Sequence, residues 1–123
     1  MSLSNYAENA VANAICNNTS FAVAQVYVKL HIGDPGEDGT SNAAGETDRT
    51  AASFGAASGG VCTSDAAVSW SSVSTTETYT YVSFWDASSG GNCLGSGALT
   101  SSVAVTAGDD FTIASAALTL TLT

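Results

Sequence analysis

Few side chains in this 123-residue chain are of a type and spacing that could do chemistry. Asp34, Glu37 and Asp38 fall within "DPGEDG", and flexible loop carboxylates are what a hard cation such as calcium prefers. The spacing departs from the EF-hand pattern, because Gly36 takes the third ligand position and Glu46 falls one place beyond the twelfth. A solvated acidic loop is therefore expected, with these three as the metal candidates. His31, the only histidine, precedes that loop without partners at ligand or relay spacing, so no catalytic residue is assigned. No serine sits in a G-x-S-x-G elbow, and "GSG" at Gly95 to Gly97 lacks the context of a phosphate-binding loop. Those glycines read instead as a bulge or a close backbone approach. Tyr79, Tyr81, Trp85 and Trp70 form either a platform for sugar rings or part of a core. No cofactor is implied by any of these groups.

The elements that must position them are mostly strands. Leu3, Tyr6, Ala7, Ala10, Val11, Ala14 and Ile15 recur at three- and four-residue steps, which predicts one helix over about 3–17. Ser2, Ser4 or Asn5 can cap its start, and Asn17 and Asn18 suit its exit. From Ala22 the period becomes two, with Ala22, Ala24, Val26, Val28, Leu30 and Ile32 on one side. A long loop, Gly33 to Asp48, follows. Further strands are predicted at Thr50–Phe54, Ala66–Trp70, Thr78–Trp85, Cys93–Leu99, Val103–Val105, Phe111–Ala114 and Ala116–Leu122.

In "TYTYVSFW" period two places Tyr79, Tyr81 and Trp85 on one face and Val82 and Phe84 on the other, marking a central strand covered on both sides. The last strand sets Leu118, Leu120 and Leu122 against Thr119, Thr121 and Thr123. Its leucine face should seal the fold, and its uncharged edge needs pairing within the sheet or capping by a neighbour. Short strands after one helix predict a single domain over 1–123, with the strands over about 21–123. Its fold class is mainly β, an antiparallel β-sandwich of immunoglobulin-like or jelly-roll-like form with one N-terminal helix.

Charge excludes some partners. Two Lys plus Arg (Lys29 and Arg49) against eleven Asp plus Glu give a net charge of -9, so phosphate backbones and anionic lipid are repelled. Neither nucleic acid nor a membrane is an expected partner. Nothing at the N-terminus reads as a signal peptide, and no apolar stretch nears a membrane span. Cys16, Cys62 and Cys93 read as small buried thiols, with a Cys62–Cys93 disulfide as the competing reading.

The order of "LSNYAEN", "VYVKLHIGDPGEDG", "SFGAASGG", "VSFWDASSGGNCLGSGAL" and "GDDFTIASAALTLTLT" resembles a family of small tailed-bacteriophage virion proteins. These are commonly described as tail fibre proteins and, in some particles, as head decoration or cement subunits. The resemblance implies a non-enzymatic structural protein, made in the host cytoplasm and carried on the virion exterior as a homo-oligomer. The leading expectation is a capsid decoration protein that stabilises the head through the major capsid protein or other virion proteins. Packed DNA would repel a lining of such acidic subunits, which favours the outer surface. The alternative is a tail-fibre or tail-tip component with a carbohydrate-binding surface. The interface candidates are Tyr79, Tyr81, Trp85, Trp70, Leu118, Leu120 and Leu122.

Overall fold

In a computed structural model, which describes residues 1–122, the chain runs β1 (Ser2–Leu3), α1 (Asn5–Cys16), β2 (Val26–His31), β3 (Thr50–Ala52) and β4 (Val61–Thr63). It continues through β5 (Val68–Trp70), β6 (Glu77–Trp85), β7 (Cys93–Val105), β8 (Phe111–Ile113) and β9 (Thr119–Thr121). Thr123, expected on the hydroxyl face of the last strand, lies outside the described residues. Seven strands form one sheet in the order β3-β2-β6-β7-β1-β9-β4, and β5 pairs with β8 in a second. Among the described residues these strands pair antiparallel except β1 with β9, where Ser2 faces Thr121.

The large sheet curls until its two edges meet. Phe54, beyond β3, bridges Ser64, beyond β4, and the Gly55 N–H donates to the Thr63 carbonyl at 2.9 Å. The result is the expected mainly β, sandwich-like fold with one N-terminal helix.

Alternation builds its inner face. Val28 and Leu30 on β2 stand opposite Phe84 and Val82 on β6, and all four are 0% exposed. Burying each such side chain contributes about 1.5–3 kcal/mol. Beyond them Trp70, Phe111 and Tyr79 stack in sequence, with ring centroids 5.8 and 5.0 Å apart.

Tyr79 corrects the expected face. Pairing of β6 with β7 jumps from Tyr79↔Val103 to Tyr81↔Ala98, so Thr80 alone stands opposite Leu99 to Ser102. This bulge shifts the alternation by one residue. Tyr79 thereby joins Val82 and Phe84 in the core, while Tyr81, Ser83 and Trp85 pair across the other face with His31, Lys29 and Tyr27. The two strands expected at Cys93–Leu99 and Val103–Val105 form one element, with the gap in its ladder between them.

Local chemistry sets the helix ends. The Ser4 hydroxyl accepts the Ala7 N–H at 3.2 Å and donates to the Cys93 carbonyl at 2.6 Å, capping the helix and tying it to β7. Asn17 closes the other end and Asn18 follows at φ 51°. Leu3 belongs to β1 instead. Only Ala7 of the helix is buried; Tyr6 is 44% and Ile15 77% exposed, so the apolar stripe is largely left outside the core.

β2 begins at Val26, not Ala22, because Val26↔Ala52 is its first pair and the preceding residues have no strand beside them. No pattern in the sequence marks β4, since three residues carry little periodicity. It supplies one neighbour of β9, and β1 the other. The Leu122 N–H donates to the Gly60 carbonyl at 2.8 Å and the Thr121 N–H to the Met1 carbonyl at 2.9 Å, so the last strand is paired on both sides within the chain. Leu118 is fully buried, Leu120 half-buried and Leu122 49% exposed, so the leucine face seals the fold only at its start. Where β1 crosses β7, a Cβ on Gly95 would strike the Ser2 carbonyl, and one on Gly97 would strike Met1. The "GSG" segment is thus a close backbone approach, as expected.

Candidate functional site

The outward face of β2 and β6 is covered by the acidic loop, through Ser41 at His31 and Gly39 at Trp85. The Ala44 N–H donates to the Leu30 carbonyl at 3.2 Å and the Ile32 N–H to the Asn42 carbonyl at 2.9 Å, laying the loop along β2.

Beneath it runs a buried polar chain. His31 Nδ1 lies 2.9 Å from the Ser41 carbonyl, which has no proton to give, so Nδ1 carries the hydrogen. Nε2 is then the acceptor for the Ser83 hydroxyl at 2.7 Å, and Ser83 Oγ accepts the Trp85 indole N–H at 2.7 Å. Both ring nitrogens of His31 are engaged, and burial, above all other influences, pushes its pKa below the usual 6.5.

Two further contacts clamp this face. Gly39, at φ +71°, packs so closely that an added Cβ would lie 2.7 Å from Cys93 Sγ and 2.9 Å from the Trp85 ring. The Arg49 guanidinium sits 4.0 Å from the Trp85 ring centroid and donates through Nη1 to the Ala87 and Gly90 carbonyls at 2.8 and 2.7 Å. Asp86 accepts the Asn92 backbone N–H at 2.8 Å and its side-chain amide at 3.1 Å, closing the same hairpin. These bonds, the backbone one foremost, hold the Asp86 pKa below the ordinary carboxylate value.

The three metal candidates are not brought together. Asp34 accepts the Gly36 N–H at 2.9 Å, Glu37 reaches the Asn5 N–H at the helix start at 2.9 Å, and Asp38 accepts the Thr40 hydroxyl at 2.8 Å. Among the described residues no three His, Cys, Asp or Glu side chains converge. Cys16, Cys62 and Cys93 are all free thiols; Cys93 is buried and Cys62 half-buried, but Cys16 is exposed, contrary to expectation.

Nor do the four aromatics make a platform. Tyr79 is core, Trp70 is 4% exposed with its N–H on the Asp48 carbonyl at 2.9 Å, and Trp85 is 7% exposed beneath Arg49. Tyr81 is half-buried. The exposed ring is Tyr6, which helical spacing assigns to the apolar stripe. It forms one wall of a cleft of ~450 Å³ shared with Asn5, Glu37, Asp38, Trp85 and Asn92. No local pattern marks that cleft, because loop, helix and hairpin meet there from distant parts of the chain. A second groove, of ~300 Å³, is lined without any charged residue by Leu3, Val11, Val26, Phe54, Leu120 and Leu122.

The chain is thus a small curled β-sandwich module with its one histidine locked in a buried network, an acidic exterior and apolar side chains left outside the core. The chain matches the family described as Podophage GP4 fiber I protein gp80 over residues 2–121, and it belongs to that family. It is thus a bacteriophage virion protein of fibre type, as the resemblance implied. No curated protein matches it. No helix among the described residues is long and apolar enough to cross a membrane.

Proposed function

We propose that the protein is a non-enzymatic subunit of a fibre on the outside of the phage particle, present in many copies and held by contacts with itself and with other virion proteins. The match to a fibre family across residues 2–121 carries this reading. Its surface chemistry supports it. Subunits of charge -9 repel one another except where their surfaces are neutral, and the groove beside Leu122 is free of charge. Leu122, 49% exposed, lines that groove, and Ile15, 77% exposed, offers further apolar area on the helix. His31 and Ser83 are both 0% exposed, so no substrate reaches that hydrogen-bonded pair, which supports a non-enzymatic reading.

A second reading, decoration of the head through the major capsid protein, is favoured by the same acidity, which suits an outer layer shielded from DNA. Antibody labelling of intact particles distinguishes the two. Label confined to fibres, at a stoichiometry far below that of the major head protein, is expected. Label spread over the head would establish the second reading, and particles carrying no label would sink both.

A further inference from the structure

Tyr6 stands between two clefts. On one side is the ~450 Å³ cleft walled by Trp85 and rimmed by Asn5, Glu37, Asp38, Thr40 and Asn92. On the other is a cleft of ~340 Å³ lined by Asn9, Asn13, Thr19, Ser20 and Phe21. Both volumes lie within the range of small-ligand sites, about 300–1,000 Å³.

The ring is open yet held. It is 44% exposed, it belongs to the first turn of the helix, and Phe21 meets it edge-on at 6.4 Å and 77°. An exposed aromatic already fixed in place loses little entropy when a ligand covers it. The rim groups are likewise preset. Glu37 is held through Oε2 by the Asn5 N–H, Asp38 through Oδ1 by Thr40, and Asn92 through its amide by Asp86. Each carboxylate thereby keeps its other oxygen for a further donor.

A fixed ring face beside carboxylate, amide and hydroxyl groups suits a molecule with an apolar C–H face and hydroxyl donors around its edge, which is the chemistry of a sugar ring. Charge narrows the class. Glu37 and Asp38 border the larger cleft and neither cleft is lined by Lys or Arg, so a carboxylated, sulfated or phosphorylated sugar meets carboxylates at the rim with no cation in the lining to offset them. From this juxtaposition we infer that Tyr6 is the stacking centre of a binding site for an uncharged oligosaccharide, with one sugar unit in each flanking cleft. The site is independent of whether the subunit stands in a fibre or on the head.

Amide NMR of the full chain, titrated with maltotriose, chitotriose, their monosaccharides and a glucuronate-containing hyaluronan fragment, tests this. At least one neutral trisaccharide should shift the amides of Tyr6, Asn9 and Thr40 and bind more tightly than its monosaccharide. Tyr6→Phe should keep affinity within about twofold and Tyr6→Ala should lower it at least about tenfold. Asp38→Ala, at an exposed position, should also weaken binding while leaving the rest of the spectrum in place. Silence with every neutral probe, equal binding of the acidic fragment, or wild-type affinity in both alanine variants overturns the inference.

Discussion

Gly39→Ala measures how firmly the acidic loop is seated on the central strand. Gly39 adopts φ +71°, where an L-residue costs about 1–2 kcal/mol. Its new Cβ would also lie 2.7 Å from Cys93 Sγ and 2.9 Å from the Trp85 ring, both on buried residues with little room to retreat. Such overpacking costs about 1–3 kcal/mol. Gly59→Ala supplies the control, since Gly59 has φ +61° but nothing within 4 Å of the position its new methyl group would take. Both variants stiffen the unfolded chain alike, by about 0.4–1 kcal/mol, so that effect cancels in the comparison. The Gly39 variant should therefore be the less stable of the two by about 1–3 kcal/mol. Urea unfolding followed by fluorescence of the buried Trp70 and Trp85 reads this directly, as a difference in midpoint on the order of 1 M at unchanged slope. Equal losses in the two variants would mean that the loop does not rest on Cys93 and Trp85, and the account of the covered face would fail.

Other outcomes follow from the same face and from the helix. Arg49→Ala, which loses two carbonyl bonds and the Trp85 stack, should cost about 1–3 kcal/mol in urea unfolding, and Arg49→Lys should restore only part because a point charge lacks the guanidinium fork. Burial lowers the folded pKa of His31 below 6.5, so the unfolded chain takes up its proton first; stability from this group is fully present above 6.5 and lost as pH falls towards the folded value. Urea midpoints should therefore drop between about pH 7.5 and 5.5, and the drop should shrink in His31→Gln. Asp86 is also depressed, so its contribution is present above 3.8 and fades as pH falls through its lower folded value. The Asn92 amide resonance should report that step, and Asp86→Asn should abolish it. Ile15→Gln, a neutral change at a 77% exposed position in the last turn of the helix, should change monomer stability by no more than about 0.5 kcal/mol yet reduce incorporation into particles, as quantified by immunoblot of purified virions.

Residue order alone determined the class of fold, because alternation and helical spacing are local properties that any partner strand must respect. It marked the helix, the central strand, the glycines where β1 crosses β7, and the family. Tertiary structure decided which way individual side chains face. The bulge at Thr80 is set by the pairing of β6 with a strand some twenty residues away, as Tyr79↔Val103 shows, so period two carried Tyr79 to the wrong side. Tyr6 and Ile15 satisfy a helical stripe, but only contact with β1 and β7 could show that the stripe is mostly uncovered. His31 looks idle until Ser41 and Ser83 close upon it, and the cleft beside Tyr6 exists only because helix start, acidic loop and hairpin converge. Spacing along a chain records what each residue prefers; which preferences are met depends on neighbours that arrive from elsewhere in the fold.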